Sequence, residues 1–163
     1  MDYFDEFEQG MPQDIENTKR LIRQAITRYL AQREHGFNEI LYKLTQKGFP
    51  QALSRIELEA MQERGWQSDE RYTKQLVQRR INKGYGLQFI QGEARSKGIE
   101  GAVLQSVMDE LQPDWCEVAK NAAIRKFGDT PIKDNKDYIK RCNFLRNRGF
   151  GLTEISAVYE RFY

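Results

Sequence analysis

Residues Lys83–Ile90 read KGYGLQFI, and Arg148–Ile155 repeat them as RGFGLTEI. Each copy has a basic residue, a glycine, an aromatic, a second glycine, a leucine and, three positions on, an isoleucine. This echo constrains the fold because the segments around it carry apolar residues at spacings of three and four, the period of a helix packed on one face. A dinucleotide-binding glycine loop would need a preceding strand and a third glycine three positions on. Here the preceding segment is a helix former and position 89 is Phe. The glycines therefore read as helix stops, since Gly takes the left-handed conformation that closes a helix.

The same punctuation divides the whole chain. A first helix is expected over Ile15–Glu34 with Asp14 as its cap, and a second follows Asn38 and stops at Gly48. A third starts at Pro50, where no donor is needed, and ends at Gly65. A fourth, capped by Ser68 or Asp69, ends at Gly84; a fifth spans Leu87–Lys97 and ends at Gly98; a sixth spans Ile99–Leu111. Asp114 caps a seventh that closes at Gly128. The segment Asp129–Lys133 is a loop, an eighth helix carries Tyr138, Ile139, Cys142 and Leu145 to Gly149, and the last carries Ile155, Val158, Tyr159 and Phe162. His35-Gly36-Phe37, Lys83-Gly84-Tyr85 and Arg148-Gly149-Phe150 align as three joints. The expectation is an all-α, elongated tandem array of three-helix repeats with about nine helices. Its boundaries are an acidic arm at 1–14 and repeats at 15–65, 66–111 and 112–163. Units this small cannot each bury a complete core, so neighbours must stack.

Hydrophobic residues are 39 % and charged residues 31 % of the 163, which allows only a thin core. No apolar run approaches the roughly 18–20 residues of a membrane span. The acidic N-terminus lacks the layout of a secretion signal, so a cytoplasmic location is expected. Cys116 and Cys142 have no CxxC spacing, and two Cys with one His cannot assemble four zinc ligands. His35 is read as a positive-leaning residue at a helix end. No serine has a histidine near it in sequence, and the paired carboxylates lie on densely charged helices. Neither an enzyme nor a cofactor site is indicated.

Charge carries more information. Residues 1–18 hold six acids and no Lys or Arg, so the rest of the chain is +8 against a total of +2. Residues 71–99 hold seven basic residues against one acid, and residues 119–148 hold nine against three, so each block is +6. Between them, residues 100–118 hold five acids and no base. Such blocks suit a polyanion, because each phosphate contact releases a counterion and makes binding strong and salt-sensitive. An acidic protein surface would suit them equally, and solvated helix faces are the bland alternative. Arg71, Lys74, Arg79, Arg80, Lys83, Arg125, Lys126, Arg141, Arg146 and Arg148 are the candidate surface, chosen on local charge and position in the repeat. Lys83 and Arg148 stand at equivalent joints, which predicts positive charge repeated along one edge. The arm at 1–14 is read as a shield for that surface.

The order of several stretches resembles the RecX regulatory proteins, bacterial modulators of the RecA recombinase. They are Glu63-Arg64-Gly65-Trp66, Ser68-Asp69-Glu70-Arg71-Tyr72, Arg80-Ile81-Asn82-Lys83-Gly84-Tyr85-Gly86, Ile90-Gln91-Gly92-Glu93 and Lys97-Gly98-Ile99. The C-terminal part, from Asp114-Trp115-Cys116 through Arg125-Lys126-Phe127-Gly128 to Phe144-Leu145-Arg146-Asn147-Arg148-Gly149-Phe150, is similar to the proteobacterial branch. The match covers roughly residues 22–163. Trp66-Gln67 replaces a more usual tyrosine–leucine pair, and Ala94 stands where a leucine is usual. The resemblance implies a curved array, monomeric, that lodges in the groove of the RecA–DNA filament. There it would block extension and lower ATP hydrolysis, strand exchange and coprotease activity, with weak, salt-sensitive contacts to single- and double-stranded DNA. The rival readings are a helical DNA-binding protein that acts without a recombinase and a non-catalytic helical adaptor.

Overall fold

The computed structural model describes residues 5–159, with side chains from residue 13 on. Among these residues there are nine helices and no strand: α1 (Asp5–Gln32), α2 (Phe37–Gln46), α3 (Gln51–Glu63), α4 (Asp69–Asn82), α5 (Leu87–Ser96), α6 (Gly101–Leu111), α7 (Trp115–Phe127), α8 (Asn135–Asn147) and α9 (Leu152–Val158). None is long and apolar enough to cross a membrane. The chain forms two compact units that divide between Tyr72 and Thr73, inside α4.

Local chemistry sets the helix ends. At Gly48, Gly65, Gly84, Gly98 and Gly149 the backbone φ is positive. In each case the glycine N–H returns to the carbonyl three residues back and the next N–H to the carbonyl five back, as in Gly149 to Arg146 (3.0 Å) and Phe150 to Leu145 (3.1 Å). These five terminators satisfy carbonyls that a helix end leaves orphaned. Ser68 Oγ accepts from the Arg71 N–H (3.2 Å), and Asp114 Oδ1 from the Glu117 N–H (3.1 Å), so both act as N-caps.

Three expected helix starts are corrected. Helix α1 begins at Asp5, so Asp14 lies within it and caps nothing. Helix α2 begins at Phe37 with Gly36 as its cap, ahead of Asn38. Pro50 is the residue before the first turn of α3. The shielding role assigned to the arm at 1–14 falls on residues 1–4 and on side chains up to 12, outside the described residues, as does Phe162.

In the first unit, Ile22, Ala25 and Ile26 of α1 recur at helical spacing and face Ile40, Leu41 and Leu44 of α2 and Leu58 and Met61 of α3. Each fully buried aliphatic side chain here contributes about 1.5–3 kcal/mol. Arg23 and Glu57 pair across α1 and α3 at 3.0 Å.

The joint before α2 departs from the sequence alignment. Gly36 has φ −71° and is an extended N-cap, like Gly86 (−93°) and Gly151 (−88°). The true equivalence is therefore Gly36–Ile40, Gly86–Ile90 and Gly151–Ile155, with each isoleucine N–H returning to its glycine carbonyl at 3.0–3.2 Å. In this register His35 takes the place of the aromatics Tyr85 and Phe150. It is 1 % exposed, with Nδ1 2.9 Å from the Arg33 carbonyl and Nε2 3.1 Å from Lys43 Nζ. Nδ1 thus donates and Nε2 accepts from the ammonium, which is the neutral ring and not a positive-leaning one. Burial is the main cause that holds its pKa below the ordinary imidazole value, with Arg33 and Lys43 adding to it against Glu39 and the carbonyl contact.

Because the folded ring resists protonation, the unfolded chain takes up more protons as pH falls through about 6.5. Stability is full above that value and declines below it. A His35→Phe variant, which restores the aromatic of the other two joints, is expected to lose this component of acid sensitivity. Urea midpoints between pH 7.5 and 5.5 check it; a slope unchanged by the substitution would refute it.

The second unit has two apolar clusters, Val77, Ile90 and Val107 in one and Ala119, Ala122, Ala123, Cys142, Leu145, Phe150 and Ile155 in the other, with Trp115 packed against both. The three alanines let α7 and its neighbours approach closely. Ile139 of α8, next to the half-buried Tyr138, is 48 % exposed.

The two echo segments dock on each other. Gly86 N–H donates to the Arg148 carbonyl (2.7 Å) and Gln88 N–H to the Gly149 carbonyl (3.1 Å). A Cβ on Gly86 would sit 2.5 Å from the Gly149 carbonyl oxygen, and one on Gly149 would sit 2.6 Å from Phe89 Cβ. The glycines thus serve the contact between copies as well as the turn within each.

Candidate basic binding surface

The ten candidate cations divide into two groups. Four are held by the protein's own acids. Arg71 pairs with Glu34 (2.8 Å) and donates to the carbonyls of Gly65 and Trp66, which ties the 64–68 turn to the end of α1. Lys74 pairs with Glu110. Arg80 makes a two-pronged bond to Glu93, both at 2.7 Å, with side chains only 24 % and 13 % exposed. Arg141 is 4 % exposed, so its charge is not presented to a partner. Its guanidinium binds Asp137 (3.1 Å), the carbonyl and hydroxyl of Thr130 (2.8 and 3.0 Å) and the Pro131 carbonyl (3.4 Å). That network fastens the 129–133 loop to α8. The Asp137 carboxyl is held below its ordinary range by the Lys133 N–H and by Arg141. Arg141 and Arg80 are structural; Lys74, in a mostly exposed pair worth about 0–1 kcal/mol, can be released to a ligand.

The other six gather around the end of α4 and along α7 and α8. Arg125 Nη1 donates to the Asn82 carbonyl (2.8 Å), and Arg148 Nη1 to the Lys83 carbonyl (3.1 Å). Two arginines distant in sequence thus meet consecutive carbonyls of one helix end, where unpaired oxygens and the helix dipole favour cations. Arg148 also lies over the rings of Tyr85 (4.4 Å) and Phe144 (5.2 Å), and Tyr85 stacks on Phe89 at 4.1 Å. Lys126 lies 5.9 Å over Phe144. Arg79, Lys83, Arg125, Lys126 and Arg146 are exposed, and Arg148 is half-buried. Lys83 and Arg148 were expected to repeat charge along an edge. Instead they converge, because their joints dock face to face. Tyr85 and Phe144 form the platform on which Arg148 lies. The i,i+4 spacing of Asp137 and Arg141 was a signal for that pair; the partners of Arg71, Lys74 and Arg80 left none.

A family model described as RecX, second three-helix domain, matches residues 68–108. The regulatory protein RecX of Vibrio parahaemolyticus is 34 % identical over 82 % of this chain and 86 % of its own length. The chain belongs to the RecX family. The RecX protein of Pectobacterium atrosepticum is 41 % identical over 61 % of this chain and 62 % of its own. A crystal structure of a regulatory protein RecX superposes with a TM-score of 0.79 at 19 % identity, covering 94 % of this chain and 77 % of that one, and establishes the same fold. These RecX relatives are named as regulatory proteins. The RecX domain match spans α4–α6, while the cations of α7 and α8 lie beyond it.

Proposed function

We infer that this RecX-family chain is a non-catalytic, monomeric, cytoplasmic regulator of the RecA recombinase. It binds the RecA–DNA filament, limits its extension, and lowers its ATP hydrolysis, strand exchange and coprotease activity. Its three helix triplets, 15–65, 66–111 and 112–163, are taken as successive contact segments. The observation that carries the reading is the convergence of Lys83, Arg125, Lys126 and Arg148 around the end of α4, with no carboxylate among the described residues bonded to any of the four. A DNA filament offers phosphates to such a surface, and each contact releases counterions, so binding is expected to be weak per residue and steeply salt-dependent.

The test is ATP hydrolysis by RecA filaments on single-stranded DNA with less than one copy of this protein per filament subunit. Inhibition is expected. Together, Arg79→Glu, Lys83→Glu and Lys126→Glu are expected to raise the concentration needed at least about tenfold, equivalent to about 1.4 kcal/mol. All three side chains are exposed, so helicity by circular dichroism should persist. Inhibition that survives the triple reversal would place the surface elsewhere. DNA binding without inhibition would favour a recombinase-independent DNA-binding protein.

A further inference from the structure

Each of the three equivalent glycines opens a short helix, but among the described residues only two are covered by a later segment. A Cβ on Gly36 would lie 3.0 Å from the Tyr72 ring, and beside it the Phe37 N–H donates to Asp69 Oδ1 at 2.8 Å. A Cβ on Gly86 would lie 2.8 Å from the Phe150 ring, beside the Arg148 and Gly149 carbonyls that accept from Gly86 and Gln88. Both covers have the same chemistry, an aromatic ring on the glycine with acceptor oxygens next to it.

Gly151 has neither among the described residues; its Cβ position meets only the tips of Glu154 (3.1 Å) and Gln88 (3.6 Å). The following residue shows the consequence. Phe37 and Leu87 are half-buried, whereas Leu152 is 75 % exposed. Leu152 borders a groove of about 640 Å³ between α8 and α9, lined also by Ile139, Cys142, Ile155 and Arg146. Two large apolar side chains, Leu152 and Ile139 (48 % exposed), stand open to solvent along it.

We propose that this third joint is a docking surface for a partner protein that presents an acidic–aromatic helical segment. In it a carboxylate stands one turn before an aromatic ring, as Asp69 and Tyr72 do for the first joint. The ring covers Gly151 and Leu152, and the carboxylate meets Arg146, whose guanidinium has one bond to Asn143 and further N–H groups to offer. This site shares Arg146 with the candidate cations but uses none of the four that carry the filament reading, and it does not depend on that reading.

A labelled peptide of residues 66–79, which contains Asp69 and Tyr72, is the probe, with binding to the full chain read by fluorescence anisotropy. Leu152→Glu in the protein, or Asp69→Asn with Tyr72→Ala in the peptide, is expected to weaken binding at least about tenfold, a difference of about 1.4 kcal/mol. The Arg79→Glu, Lys83→Glu, Lys126→Glu protein should bind the peptide normally, which separates this site from the basic surface. No peptide binding, or binding indifferent to Leu152→Glu, overturns the proposal. A concentration-dependent dimer abolished by Leu152→Glu would assign the groove to a second copy. Tenfold tighter peptide binding by a chain ending at Tyr159 would assign it to the chain's own last four residues. Either result replaces the partner proposed here.

Discussion

Gly149→Ala is expected to destabilise the second unit by about 4 kcal/mol or more, at the extreme of single-substitution effects. Two costs combine. The residue sits at φ +94°, where an L side chain costs about 1–2 kcal/mol. Its Cβ would also collide with Phe89, 2.6 Å from that residue's Cβ and closer still to its amide nitrogen. Backbone cannot move aside without breaking the bonds from Gly86 to Arg148 and from Gln88 to Gly149. Gly65→Ala is the control: φ is +77°, but nothing lies within 4 Å of the added carbon, so only the conformational cost of about 1 kcal/mol applies. Urea unfolding followed by far-ultraviolet circular dichroism measures both. Equal effects of the two substitutions would show that the docking of the joints contributes nothing.

Arg141→Ala is expected to cost about 3 kcal/mol, while Arg146→Ala, five residues on in the same helix, stays within about 0.5 kcal/mol. The first removes a buried guanidinium, takes the donor from the Thr130 and Pro131 carbonyls and leaves Asp137 with the Lys133 N–H. The second removes an exposed side chain bonded, among the described residues, only to Asn143. Arg141→Lys should rescue little, because an ammonium cannot span the carboxylate and the loop carbonyls as a planar fork does. Thermal unfolding of the three variants decides it. A small effect of Arg141→Ala would return that residue to the binding surface.

The five glycine terminators, the caps at Ser68 and Asp114 and the loop at 129–133 were legible because each depends on residues within one turn. Where the reading failed, a distant partner intervened. Asp69 looked as able as Ser68 to cap α4, but its carboxylate accepts instead from the Phe37 N–H, 32 residues earlier. Gly36 looked like a helix stop beside an aromatic, yet buried His35 holds the aromatic position and Gly36 begins the next helix. The basic blocks were visible in composition, but composition does not say which cations are neutralised. Arg80 lies 13 residues from Glu93, Lys74 36 from Glu110 and Arg71 37 from Glu34, separations with no local signature.

The sequence by itself determined an all-helical chain with repeated glycine joints and two strongly basic blocks. Helix periodicity, chain reversal and net charge are properties of short segments, and short segments carry them openly. Only the tertiary structure decided what the joints do. It brought KGYGL and RGFGL face to face through bonds that need bare glycine on both sides. That contact carried Arg148 onto the Lys83 carbonyl and the Tyr85 ring, and turned a supposed edge of separated charges into one cluster. Contact between segments 65 residues apart depends on complementary surfaces, which no local pattern of residue types encodes.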